Sequence, residues 1–79
     1  MALNDCYGNL KLLLESRADA PAPDGSRLID EPLTHQEIAD HLGCTPRMIG
    51  RLMGELVKGQ YIERVGHTTR LLRALPPRF

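Results

Sequence analysis

The fold class that this sequence predicts is mainly α with a small β-sheet, a winged helix-turn-helix of three helices and a β-hairpin wing. Three observations predict it. Two helix starts, at Thr34 and Thr45, flank a short turn that holds Gly43. The second of these helices sets arginines on one face and branched or long apolar residues on the other. A tail with strand-like segments follows, broken at Gly66-His67. The 79 residues suffice for one domain with one modest core. Within it the helix-turn-helix is expected over 34–58 and the wing over 61–74.

Each element has a local reason. Residues 5–18 read as a helix, with Leu10, Leu13, Leu14 and Ala18 on one stripe, Tyr7 or Cys6 extending it, and Asp5 as the N-cap. Residues 19–26, DAPAPDGS, hold two prolines and an Asp-Gly pair and read as a loop. A short strand is expected from Arg27 to Asp30, stopped by Pro32. Thr34 and Glu37 fit a capping box that opens a helix burying Ile38, Ala39 and Leu42 and ending at Gly43. Thr45 caps the next helix, with Pro46 at the first position, where a missing N–H costs nothing. Ile49, Leu52, Met53, Leu56 and Val57 then recur at the helical period to Lys58, and Gly59 ends the run. Tyr61–Val65 and Thr68–Ala74 read as two strands of a hairpin.

The paired helices define a helix-turn-helix seam. Ala39 is small enough for close approach, Gly43 turns the chain, and Ile49 fills the space between the helices. A plain αα-hairpin would account for these apolar residues, but not for the opposite face of the second helix. That face reads Arg47, Gly50, Arg51, Gly54 and Lys58. Arg47 and Arg51 stand four apart and point the same way. A guanidinium pairs with guanine O6 and N7, the commonest specific contact in the major groove, and the N-terminal part of such a helix meets the base edges. Gly50 and Gly54 each cost roughly 1 kcal/mol relative to alanine in a helix. Close approach to DNA or to the hairpin would explain their retention, whereas a merely solvated face would not.

Base reading is therefore expected from Arg47 and Arg51, beside Pro46 and Gly50. Phosphate contacts are expected from Thr34, Gln36 and Thr45 near helix N-termini, from Lys58, and from His67, Thr68 and Arg70 on the hairpin. Net charge is zero, yet residues 1–44 carry −5 and residues 45–79 carry +5, so the recognition helix lies in the basic half. Cys6 and Cys44 allow at most one disulfide, and a reduced, cytoplasmic chain is expected. No metal site is expected from His35, His41 and Cys44. No apolar run approaches the roughly 20 residues that cross a bilayer, and no signal peptide begins the chain, so no membrane partner is expected. No nucleophile–base pair, phosphate loop or carboxylate pair suggests an enzyme.

With these residues in view, the chain resembles the C-terminal DNA-binding domain of the bacterial Crp/Fnr regulators, the cyclic-AMP receptor protein family. The resemblance rests on PDG at 23–25, LTHQEIADHLGC at 33–44, Arg51 in the following helix, and GQYI at 59–62. It runs from Asp5 to about Leu72. It implies a winged helix that binds palindromic double-stranded promoter DNA as a homodimer and regulates transcription. The family's recognition helix presents Arg-Glu-x-x-x-Arg; here the positions read Pro46-Arg47-Met48-Ile49-Gly50-Arg51. Arg51 is retained, while proline replaces the first arginine and Arg47 replaces the acid. A sequence preference different from the family's usual half-site follows. The resemblance also implies an RNA polymerase contact through residues 19–26. It implies no cofactor in this chain, because a cyclic nucleotide or other effector would bind an N-terminal sensory domain that these residues do not include. A domain cut from a longer regulator is expected over a natural single-domain protein. The competing reading is a winged-helix protein-interaction module without DNA readout.

Overall fold

The computed structural model describes residues 3–66 and 68–77. Helix α1 spans Leu3–Arg17, strand β1 Arg27–Ile29, helix α2 His35–Leu42, helix α3 Pro46–Lys58, and strands β2 and β3 Ile62–Val65 and Thr68–Leu71. This is the winged helix-turn-helix expected from the sequence. Asp5, however, lies inside the first turn of α1 and does not cap it. Both positions favour a carboxylate, the cap through a side-chain hydrogen bond and the first turn through the helix dipole, so residue type alone does not separate them.

The caps of α2 and α3 are made as their residues dictate. Thr34 Oγ1 accepts from the Glu37 amide at 3.1 Å, and its hydroxyl donates to the Glu37 carboxylate at 3.0 Å. Gly43 takes φ +71, and both its own N–H and that of Cys44 donate to Ala39 O. A left-handed residue at this point turns the chain within two residues, and glycine takes that conformation without a Cβ penalty. Thr45 Oγ1 then accepts from the Met48 amide at 3.1 Å. At the far end Gly59 caps α3 directly after Lys58, as expected. Gly59 has φ −81, and the left-handed residue is Gln60 at φ +62. Gly59 answers a steric demand instead, since a Cβ there would stand 2.8 Å from the Tyr61 ring.

All three helices contribute to one core. Tyr7, Leu10 and Leu14 from α1, Ile38 and Ala39 from α2, and Ile49, Leu52, Met53 and Leu56 from α3 are buried together with Ile29, Ile62 and Leu71 of the sheet. Val57, expected on the apolar stripe, is 43% exposed. It follows Leu56 by 100°, enough to carry it past the edge of the buried face. Cys6 and Cys44 are joined as a disulfide, in place of the free thiols expected.

The sheet is antiparallel, in the order β1-β3-β2. β3 is thus the central strand, held by β1 through Arg27↔Leu71 and Ile29↔Thr69. The hairpin pairs Val65 with Thr68, and Gly66, directly after β2, takes φ +64. Its strands are shorter than the 61–74 expected. One further bond, Leu72 N–H to Tyr61 O at 2.8 Å, extends the pairing, and the chain then crosses back over the core at Leu75. Tyr7 Oη donates to Pro76 O at 2.6 Å, tying the first helix to this return segment.

Candidate nucleic-acid interface

α3 divides cleanly into two faces. Ile49, Leu52, Met53 and Leu56 are buried, while Arg47, Arg51, Gly54 and Lys58 are exposed and Gly50 is half-buried. Thr45, Arg47, Met48 and Arg51 line one shallow depression at the N-terminal end of the helix. Pro46 sits at the first helical position beside it, exposed and unable to donate a hydrogen bond. Arg47, Arg51 and Lys58 make no hydrogen bond or ion pair with the described residues. Glu55 stands one turn from Arg51 and forms no salt bridge with it.

The other described arginines contrast with these. Arg17 pairs with Glu31 at 2.6 Å, and Arg27 donates to the carbonyls of Glu15, Ala18 and Asp19 at the end of α1. Arg73 donates to Gly59 O at 2.7 Å and stacks 4.0 Å over the Tyr61 ring. Arg70 faces Glu63 across the hairpin at 3.9 Å. Arg64 donates to Leu33 O at 3.0 Å and to Thr69 Oγ1 at 3.1 Å, and burial pulls its pKa below the ordinary arginine value.

Beside the exposed face of α3 runs an open groove of about 450 Å³, lined by Thr34, His35, Gly50, Gly54, Val57 and Arg64 among others, with Gly66 on the hairpin side. Neither helical glycine is explained by the hairpin. A Cβ on Gly54 would meet nothing within 4 Å, and one on Gly50 would meet only the His35 ring, at 3.4 Å. The two glycines leave the floor of the groove open.

The residues expected at phosphates are not all gathered there. Thr34 lines the groove, and Thr45 lies at the α3 N-terminus with the arginines. Gln36 is exposed near the start of α2, where its amide donates to Asp40 at 2.8 Å. Lys58 lies at the last turn of α3, where a cation also complements the helix dipole. Thr68 and Arg70 share a different hollow with Leu28, Glu63 and Val65, on the outer face of the sheet. His67 lies outside the described residues. Arg64 was not anticipated from the sequence. Its signal was the strand alternation, which puts Ile62 and Arg64 on the inner face and Glu63 and Val65 on the outer one.

Among the described residues, no helix is long and apolar enough to cross a membrane. The family model of the Crp-like helix-turn-helix domain matches residues 10–75. A global nitrogen regulator of Synechocystis sp. is 50% identical over 42 residues, covering 53% of this chain and 18% of that protein. Two solved structures share the fold at low identity. Oxidized CprK in complex with o-chlorophenolacetic acid matches with TM-score 0.72 and 17% identity over 91% of this chain. Reduced CprK without ligand matches with TM-score 0.69 and 18% identity over 87%. The chain spans 31% and 34% of these two. With a family match over most of its length and the capped, glycine-turned helix pair that defines the motif, the chain belongs to the Crp-like helix-turn-helix domains.

Proposed function

We propose that this domain binds double-stranded promoter DNA sequence-specifically, with α3 in the major groove, as the DNA-binding part of a homodimeric transcription regulator. One observation carries the reading: Arg47, Arg51 and Lys58 project from one exposed face of α3 without partners among the described residues. Charged side chains left unneutralised on a helix that the protein holds by a single buried face suit an anionic surface of matching width. Arg51 and Arg47 read bases; Pro46 contributes shape but no donor; Gly50 and Gly54 let the helix come close. Thr34, Gln36, Thr45 and Lys58 contact phosphates, joined by His67, Thr68 and Arg70 where the duplex reaches the wing. In a homodimer the two recognition helices enter successive major grooves roughly 34 Å apart. The loop at 19–26, exposed except at Ser26, is offered to RNA polymerase, any effector binds outside this domain, no step is enzymatic, and the setting is the cytoplasm.

Selection of sites from random duplex DNA, with the domain fused to a neutral dimerising helix, tests this. The expected product is an enriched palindrome with guanines placed for Arg47 and Arg51. On that duplex Arg51→Ala loses about 1–3 kcal/mol and relaxes one position, while Lys58→Ala weakens all sequences alike and flattens the salt slope by about one unit. Equal loss by Arg51→Ala on selected and scrambled DNA would refute base reading. Absence of any enrichment would favour a protein-interaction module.

A further inference from the structure

The disulfide adds a covalent link between α1 and the turn of the helix-turn-helix, two parts that the apolar core already packs together. Cys6 is fully buried in α1, while Cys44 is the half-buried residue between the Gly43 cap of α2 and the Thr45 cap of α3. Their Cα atoms stand 6.5 Å apart, inside the range a disulfide spans without backbone movement, and 38 positions separate them in sequence. The bond therefore pins α1 to the turn of the helix-turn-helix, two residues ahead of the helix that carries Arg47 and Arg51. Cys44 Sγ lies 3.8 Å from Leu42 O, so the thiol restored by reduction has a weak acceptor within reach. Cys44 N–H donates to Ala39 O at 3.0 Å, a backbone bond that does not involve the sulfur.

We propose that Cys6 and Cys44 form a reversible thiol–disulfide site, oxidised by a small-molecule disulfide, that fastens or releases the turn leading into the recognition helix. This inference rests on the DNA-binding reading, which puts the domain where thiols are kept reduced and disulfides are usually transient and responsive. The partial exposure of Cys44 makes it the point of attack. Its thiolate attacks one sulfur of the small disulfide, forming a mixed disulfide and expelling one small thiolate. Cys6, as thiolate, then attacks the Cys44 sulfur and expels the second small thiolate. Two protein thiols become one disulfide, the small disulfide takes the two electrons and two protons, and reduction by excess small thiol runs the same steps backward.

The site is tested on the whole chain equilibrated under native conditions in glutathione buffers from reducing to oxidising. It is then quenched, denatured and alkylated, and the products are mapped by mass spectrometry. The expected oxidised species is a monomer that takes up no alkylating reagent and yields a linked Cys6–Cys44 peptide; the reduced species takes up two equivalents, matching the two cysteines of the chain. Amide exchange at Cys44 and Met48 should be severalfold slower in the oxidised monomer, and Cys44→Ala should abolish the difference between buffers. The proposal is overturned if both thiols stay alkylatable in the oxidising buffers, if only glutathione adducts or cross-linked dimers form, or if exchange at the turn does not respond to the bond. None of these outcomes depends on which DNA the domain binds.

Discussion

Gly54→Ala separates what the helix prefers from what its ligand demands. Gly54 lies in the interior of α3 on the exposed face, and an added methyl meets no atom within 4 Å. Nothing in the free domain opposes the substitution, so it should stabilise the fold by about 1 kcal/mol, the helix-propensity difference between the two residues. For a domain of this size that raises the unfolding midpoint by roughly 4–8 °C. If the open groove floor is where the helix meets DNA, the same methyl intrudes on a close contact. Overpacking of that kind costs about 1–3 kcal/mol, equivalent to a loss in affinity of roughly five- to 150-fold. The assay is a thermal melt alongside a duplex titration on a site selected by the parent domain. Gly8→Ala serves as the control, because Gly8 is also helical and its added Cβ also meets nothing within 4 Å, but it lies in α1. Both variants should melt higher and only Gly54→Ala should bind DNA more weakly. Equal or tighter binding by Gly54→Ala would refute the claim that the groove floor approaches DNA.

Ile49→Ala empties the helix-turn-helix seam at a fully buried position and should cost about 2–5 kcal/mol in denaturant unfolding. Tyr7→Phe removes the hydrogen bond to Pro76 O and should cost about 0.5–1.5 kcal/mol near neutral pH. The Tyr7 pKa is raised above its ordinary value of 10.0, first by burial and then by the charges of Glu15 and Tyr61. A raised folded pKa means that this stabilisation is complete below pH 10 and lost as pH climbs through the folded value, so Tyr7→Phe should show a shallower alkaline limb in a pH-dependent melt. The disulfide, closing a loop across 38 positions, should make the oxidised chain about 2–4 kcal/mol more stable than the reduced one, read from paired denaturant titrations.

The parts of this fold that were legible in the sequence are those whose causes are local. Thr34 with Glu37, Gly43, and Thr45 with Pro46 each fix a helix end through bonds or backbone conformations within a few residues, and the structure has each of those ends where the residues put it. The helical period likewise sorted Ile49, Leu52, Met53 and Leu56 from Arg47 and Arg51. What was missed depends on neighbours distant in sequence. The hairpin strands are cut to four residues each because the chain leaves the sheet to bring Leu75 and Pro76 back over α1. Cys6 and Cys44 meet only because α1 packs against the turn.

The candidate site shows the same division more sharply. Sequence assigns a positive charge to every arginine alike, and the +5 of residues 45–79 cannot say which of them is available. Availability is decided by carbonyl oxygens that the fold leaves within reach. Leu33 O and Thr69 take Arg64, Gly59 O and the Tyr61 ring take Arg73, and Glu63 faces Arg70. Each is a contact set by the sheet register, by the packing of the sheet on α2, or by the return of the chain after β3. On the exposed face of α3 the backbone offers no such carbonyls, because a helix interior consumes its own. Arg47 and Arg51 are therefore left for an external acceptor by the geometry of the element that carries them. The same reasoning sets Arg64 apart from them. It lines the groove beside Gly50 and Gly54 but is committed to Leu33 O and Thr69, so its replacement should disturb the hold of the wing on the start of α2 before it disturbs any contact with DNA.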